Sequence, residues 1–178
     1  MSAPVGYRWD VEAFLRAVEA GVFTTRVELV EGDVWAVVLG DWHGAVTFRV
    51  AAALAGEGDL TGATLPSAGS LPDPDVWVRR PGAEPLGNLS PRLSRWAPQD
   101  VLLVVEVSDE SLEQDLGVKA DLYARTGYPR YWVVARDGVH EHTDPTATGY
   151  GRVRRLGPGA SVDLPSGRPV PVDDLLGS

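Results

Sequence analysis

Apolar residues in the first stretch of the chain recur at helical spacing. Val11, Phe14, Leu15 and Val18 form one stripe of a helix predicted over 9–20. Asp10 stands where that helix needs a cap and Gly21 where it should stop. The period then changes to two. Residues 24–30 alternate, with Val27 and Leu29 on one face and Arg26 and Glu28 on the other. Glu31-Gly32 turns the chain into a return strand over 33–39, which completes a β-hairpin. Val46, Val50 and Leu54, four apart, predict a second helix over 41–55, followed by short extended pieces near 63–65 and 75–78. Residues 79–99 show no period and are rich in Pro, Gly and Ser. They predict a long irregular loop of the kind that often carries function.

The second half is more sharply patterned. Residues 101–107 form a continuous apolar run, the signature of a strand covered on both faces. A helix follows over 111–125, with Ser111 and Gln114 spaced as a capping box and Gly127 as its stop. Residues 130–135, 139–142, 150–156 and 161–164 read as short strands. Hairpins early and a strand–helix–strand unit late predict an α/β (α+β) fold: a central mixed β-sheet flanked by helices, preceded by a helix and a β-hairpin. With 178 residues and no internal repeat, one domain over 1–178 is expected.

Composition narrows the chemistry. The chain is 44% hydrophobic and 23% charged, an ordinary globular balance. It has no cysteine, which excludes disulfides, iron–sulfur clusters, thiolate zinc sites and a cysteine nucleophile. Residues 1–10 carry neither a basic flank nor an apolar run, and the apolar stretch 101–105 is too short to cross a bilayer. A cytoplasmic chain with no membrane partner is expected. Fifteen of the sixteen basic residues are arginine. The exception is Lys119, the one side chain that could serve as a tunable amine.

A net charge of −9 argues against a protein that coats nucleic acid, but the charge is segregated. Residues 1–75 hold eleven acids against four arginines, and residues 100–121 hold seven acids against Lys119 alone. Arg79, Arg80, Arg92 and Arg95 face only Glu84 within the long loop, and Arg152, Arg154 and Arg155 cluster near the C-terminus. These groups read either as solvated surface or as a cradle for a polyanion beside an acidic centre. On the second reading the four loop arginines are the candidate contacts for that polyanion.

No phosphate-binding loop, dinucleotide fingerprint or serine-nucleophile elbow is present. His140 and His142 flank Glu141 on one strand, a pattern better explained by exposed strand positions than by a shared metal, and His43 stands alone at the head of the second helix. The informative residues are acids in unusual places. Asp75 begins a strand directly after Pro-Asp-Pro. Glu106 interrupts the most apolar strand, where an unpaired carboxylate costs several kcal/mol, and near the strand end at which α/β sheets bind ligands. Lys119 lies four residues after Asp115 and four before Tyr123, so the three share a helix face. With Glu28 as a third acid, this set suits a divalent cation with a positive charge beside it. Oxygen donors select Mg²⁺ or Mn²⁺.

The run Val105-Glu106-Val107-Ser108-Asp109-Glu110-Ser111, then Asp115, Lys119, Tyr123-Ala124, Gly127 and Tyr131-Trp132, strongly resembles the Uma2 family, restriction-endonuclease-like proteins of the PD-(D/E)XK superfamily. Glu28-Leu29-Val30-Glu31-Gly32, His43 and Pro74-Asp75-Val76 match in the family's order as well. The resemblance covers about 9–135, and the strands over 138–165 add little to it. It implies a restriction-endonuclease-like fold and metal-dependent hydrolysis of DNA phosphodiesters. Asp75 and Glu106 would bind the metal, helped by the backbone carbonyl of Val107. The superfamily's lysine two residues after the acid is replaced by Ser108, and the resemblance assigns that amine to Lys119 on the following helix. Glu28, His43 and Asp115 would support the site. Two readings follow: a Mg²⁺-dependent endodeoxyribonuclease, or a catalytically idle nuclease-like fold used for binding or assembly. A homodimer is compatible with either, and convergence of the Asp75, Glu106 and Lys119 head groups separates the two readings.

Overall fold

The apolar run becomes the central strand of the sheet. In the computed structural model, which describes residues 6–177, β7 (Val101–Ser108) is buried at every position but one. Residues 1–5, part of the segment read for a leader peptide, lie outside the described residues. On one side β7 pairs in parallel with β8 (Arg130–Ala135), and on the other antiparallel with β4 (Val76–Arg79). The sheet is completed by β3 (Asp59–Thr61), β9 (Gly138–Thr146) and β10 (Gly149–Leu156), in the order β10-β9-β8-β7-β4-β3. It is the expected mixed sheet, and no helix among the described residues is long and apolar enough to cross a membrane.

Alternation along the strands builds two cores. Val76, Val78, Leu103, Val105 and Val107 face α2 (Asp41–Ala53) and the C-terminal α5 (Val172–Leu176). Trp77, Val104, Tyr131 and Val133 face the opposite layer, where α4 (Ala120–Thr126) lies. The segment joining β7 to β8 thus covers the face on which Glu106 stands.

A third cluster holds the N-terminal unit. The Asp10 side chain accepts from the Ala13 amide (2.7 Å) and caps α1 (Val11–Glu19). β1 (Val27–Val30) and β2 (Asp33–Ala36) are joined by Glu31 and Gly32, both at positive φ, the geometry of a tight two-residue hairpin turn. Phe14 packs with Leu29 and Leu71, and the Leu29 and Leu71 backbones exchange two hydrogen bonds (3.1 and 2.8 Å). That docking carries Glu28 to the sheet.

Several expectations change. The extended piece expected at 63–65 falls instead at 59–61, as β3, where Thr61 pairs with Trp77. The irregular loop contains a hairpin, β5 (Gly87–Ser90) and β6 (Leu93–Arg95), held by Leu89 and Leu93 against the Phe14 cluster. Tertiary packing, which has no local period, makes those strands. A short pair, β11 (Ser161–Asp163) with β12 (Pro169–Pro171), leads into α5. The helix expected over 111–125 is split into α3 (Leu112–Gln114), a π-helical turn at Asp115–Lys119, and α4. The Ser111 side chain makes no capping bond and is used on Asp115 instead.

Candidate metal centre

Strand register places the two acids side by side. Val76 pairs with Val105, so Asp75 stands opposite Glu106 on the face shared with Trp77 and Val104. The β4–β7 ladder ends at Val76–Val105 and the chain bends at Asp75, so beyond it the Val107 amide donates to a side chain, Asp75 Oδ2 (2.7 Å). The N–H and C=O of one strand residue point to the same side, so the Val107 carbonyl shares the Asp75 gap. The other Asp75 oxygen, Oδ1, meets His43 Nε2 at 2.9 Å. His43 reaches it from the first turn of α2, and its Nδ1 is buried without a partner among the described residues.

Lys119 enters from the π-helical turn. Its Nζ lies 2.9 Å from Glu28 Oε1, 3.1 Å from Glu106 Oε1 and 3.7 Å from Asp115 Oδ1. Tyr123 donates to the same Glu106 oxygen at 2.8 Å. On a regular α-helix, positions four apart drift by about 40° per step, so Asp115, Lys119 and Tyr123 would fan outward. The wide turn offsets part of that drift, which is why a π bulge falls here. Ser111 donates to Asp115 Oδ2 (2.5 Å), and Glu28 Oε2 accepts from the Asp73 amide (3.0 Å). Glu28 therefore bridges the lysine to the Pro-Asp-Pro segment.

These groups line a cleft of about 320 Å³ whose acids are Glu28, Asp73, Asp75, Glu106, Asp109, Glu110 and Asp115, with Lys119 as its one lysine. Burial, opposed by Lys119 and reinforced by Asp115, Asp75 and Glu28, pushes Glu106 up to about 8. Burial also raises Asp115, against Lys119 and its serine bonds. For Lys119 burial acts downward, but Glu106, Glu28 and Asp115 outweigh it and hold the amine above its ordinary value. Lys119 is thus a fixed cation, and the acids around it are under-compensated. Among the described residues no three His, Asp or Glu side chains already converge as a metal cage. The donor set that fits a hard divalent ion is two carboxylates and the Val107 carbonyl, with water for the rest.

A pH dependence follows. The folded-state value of Glu106 lies above the ordinary 4.5, so its contribution to stability is complete below about pH 4.5 and is lost as pH rises to about 8. Denaturation in EDTA should show the wild-type chain losing stability through that window relative to Glu106→Gln. Parallel stability curves for the two would contradict the shift.

The family model described as "Uma2: Putative restriction endonuclease" matches residues 14–172. The chain belongs to the Uma2 family. No match is found among curated proteins. The Uma2 match takes in every residue of the cleft and extends through β9 to β12, beyond the stretch that carries the motifs.

Asp75, Glu106, Lys119, Glu28, His43, Asp115 and Val107 all line one Uma2 cleft. The loop arginines do not. Arg79 pairs with Asp59 (2.8 Å) and Arg80 with Asp100 (3.1 Å), while Arg92 and Arg95 belong to the β5–β6 hairpin. Cations that do touch cleft residues are Arg26, paired with Asp73, and Arg136, 2.7 Å from Asp109 and stacked on Trp42. His140 pairs with Asp137 (3.1 Å), whereas His142 is buried among Tyr131 and Tyr150 rather than exposed. Tyr123, Ser111 and Asp73 join the site beyond the residues expected to act in it. Spacing put Tyr123 four after Lys119 and Ser111 four before Asp115 without showing what they hold, and Asp73 carried no such signal.

Proposed function

We propose that the chain is a divalent-metal-dependent endonuclease that hydrolyses DNA phosphodiester bonds, with Asp75, Glu106 and the Val107 carbonyl holding Mg²⁺ or Mn²⁺. The observation that carries this reading is the Lys119 amine 3.1 Å from Glu106, itself opposite Asp75 in the sheet. A bound divalent ion supplies Lewis-acid polarisation of a phosphoryl oxygen and a water of lowered pKa. The protein's part is positioning. Val107 N–H and His43 fix the two oxygens of Asp75, and Tyr123 with Lys119 pins one oxygen of Glu106. Because its neighbours hold Lys119 protonated, it serves as a charge and a donor for the phosphoryl oxygens or the attacking water, not as a base. DNA is the expected partner through the family, and the acidity of the cleft makes approach of a phosphate dependent on the cation.

The test is metal removal. Protein stripped with EDTA should leave supercoiled plasmid intact, and added Mn²⁺ or Mg²⁺ should restore nicking in step with the metal bound. Nicking that persists in EDTA, or metal binding without nicking, would overturn the proposal.

A further inference from the structure

A second groove opens on the same face of the sheet, between the edge strand β3 and the β5–β6 hairpin. Its volume is about 290 Å³, a small-ligand scale. The Arg79 guanidinium carbon sits over the half-buried Trp96 ring, 4.0 Å from its centroid, and the group is anchored to Asp59. Thr61, Thr64 and Ser94 supply hydroxyls along the walls. At the rim Arg92 is exposed, with no ion pair for its side chain among the described residues. Arg79 is neutralised and stacked, which suits the face of a planar ring. Arg92 is uncompensated, which suits a phosphate.

The groove adjoins the metal-centre cleft. Thr64, on its wall, donates to Asp73 Oδ1 (2.9 Å), and Asp73 lines the cleft. Trp77 and Arg79 share one face of β4 with Asp75 just before it, so the Arg79 backbone lies about 13 Å along the strand from that of Asp75. That is within reach of a strand leaving the cleft.

We propose that this groove binds one unpaired nucleotide of a single-stranded segment flanking the cleaved position, its base against Arg79 and its phosphate at Arg92. Guanidinium and aromatic planes are a general platform for unpaired bases, which duplex DNA does not offer. The inference rests on the reading that the cleft cuts DNA, and it makes the preferred substrate a duplex with a single-stranded tail.

The experiment compares a labelled blunt duplex with the same duplex bearing an about six-nucleotide tail, by fluorescence anisotropy of the full chain at constant salt with Ca²⁺, an oxygen-ligated divalent ion, in place of Mn²⁺. The tailed form should bind roughly tenfold more tightly, and Arg92→Gln should reduce that ratio to under about threefold. Trp96→Leu should do the same, and exposed Arg92 gives a variant with little bearing on folding. Equal affinity for the two DNAs, or a preference that Arg92→Gln leaves intact, would overturn the groove. Mn²⁺-dependent nicking is scored on the same preparation. Nicking without tail preference sinks the groove and spares the catalytic reading, whereas an Arg92-dependent preference without nicking does the reverse.

Discussion

Lys119→Arg is expected to lower the rate of metal-dependent nicking by about a hundredfold or more, the scale seen when one preorganised donor is lost. The charge survives the change; the geometry does not. The ammonium sits at hydrogen-bonding distance from both Glu28 and Glu106 in a buried pocket, and a planar guanidinium is larger and cannot occupy that point. Lys119→Met removes the charge as well. It leaves Glu28, Glu106 and Asp115 without their shared cation, a loss of about 3–5 kcal/mol by analogy with broken buried pairs. Part of that stability should return in acid, because protonated carboxyls need no counter-charge. Wild-type nicking by Lys119→Arg would remove the lysine from the mechanism.

The second large effect concerns Asp75. Asp75→Asn should abolish nicking, by at least about 10³-fold, since the loss of one metal-holding carboxylate forfeits several kcal/mol of transition-state stabilisation. The fold should survive. Asparagine's carbonyl can still accept from the Val107 amide while its NH₂ replaces the oxygen facing His43 Nε2, so a stability loss of about 1–3 kcal/mol is expected from chemical denaturation. Activity and stability must therefore separate in this variant. A parallel collapse of both would make Asp75 a structural brace.

Much of this was legible before the structure, for identifiable reasons. The 101–107 run, the helical stripe at Val11–Val18 and the turn at Glu31-Gly32 are local signals with strong periods, and all three produced the expected elements. The β5–β6 hairpin was not legible. Its strands exist because Leu89 and Leu93 find the Phe14 cluster, and no window of sequence contains that contact.

The site divides along the same line. Glu106 betrayed itself by interrupting an apolar strand, and Lys119 by being the sole lysine. What spacing could not show was that Asp115–Lys119 is a buried pair in a π-helical turn, or that Tyr123 completes the hold on Glu106. The loop arginines show the reverse case. Their clustering was visible, but the register of β4 places Arg79 at the far end of the strand from Asp75, on the second groove. The net charge of −9 also takes on a partial location: seven of the 25 acids line one cleft around a single lysine.

The proposed metal-dependent nuclease centre is tested at its core by plasmid nicking in Mn²⁺ with purified wild-type chain beside Glu106→Gln, a substitution that keeps the shape of the side chain and removes its charge. Nicking by the wild type and none above background by the variant is the expected result, with both chains folded. Equal nicking by the two, or none by either, would contradict it.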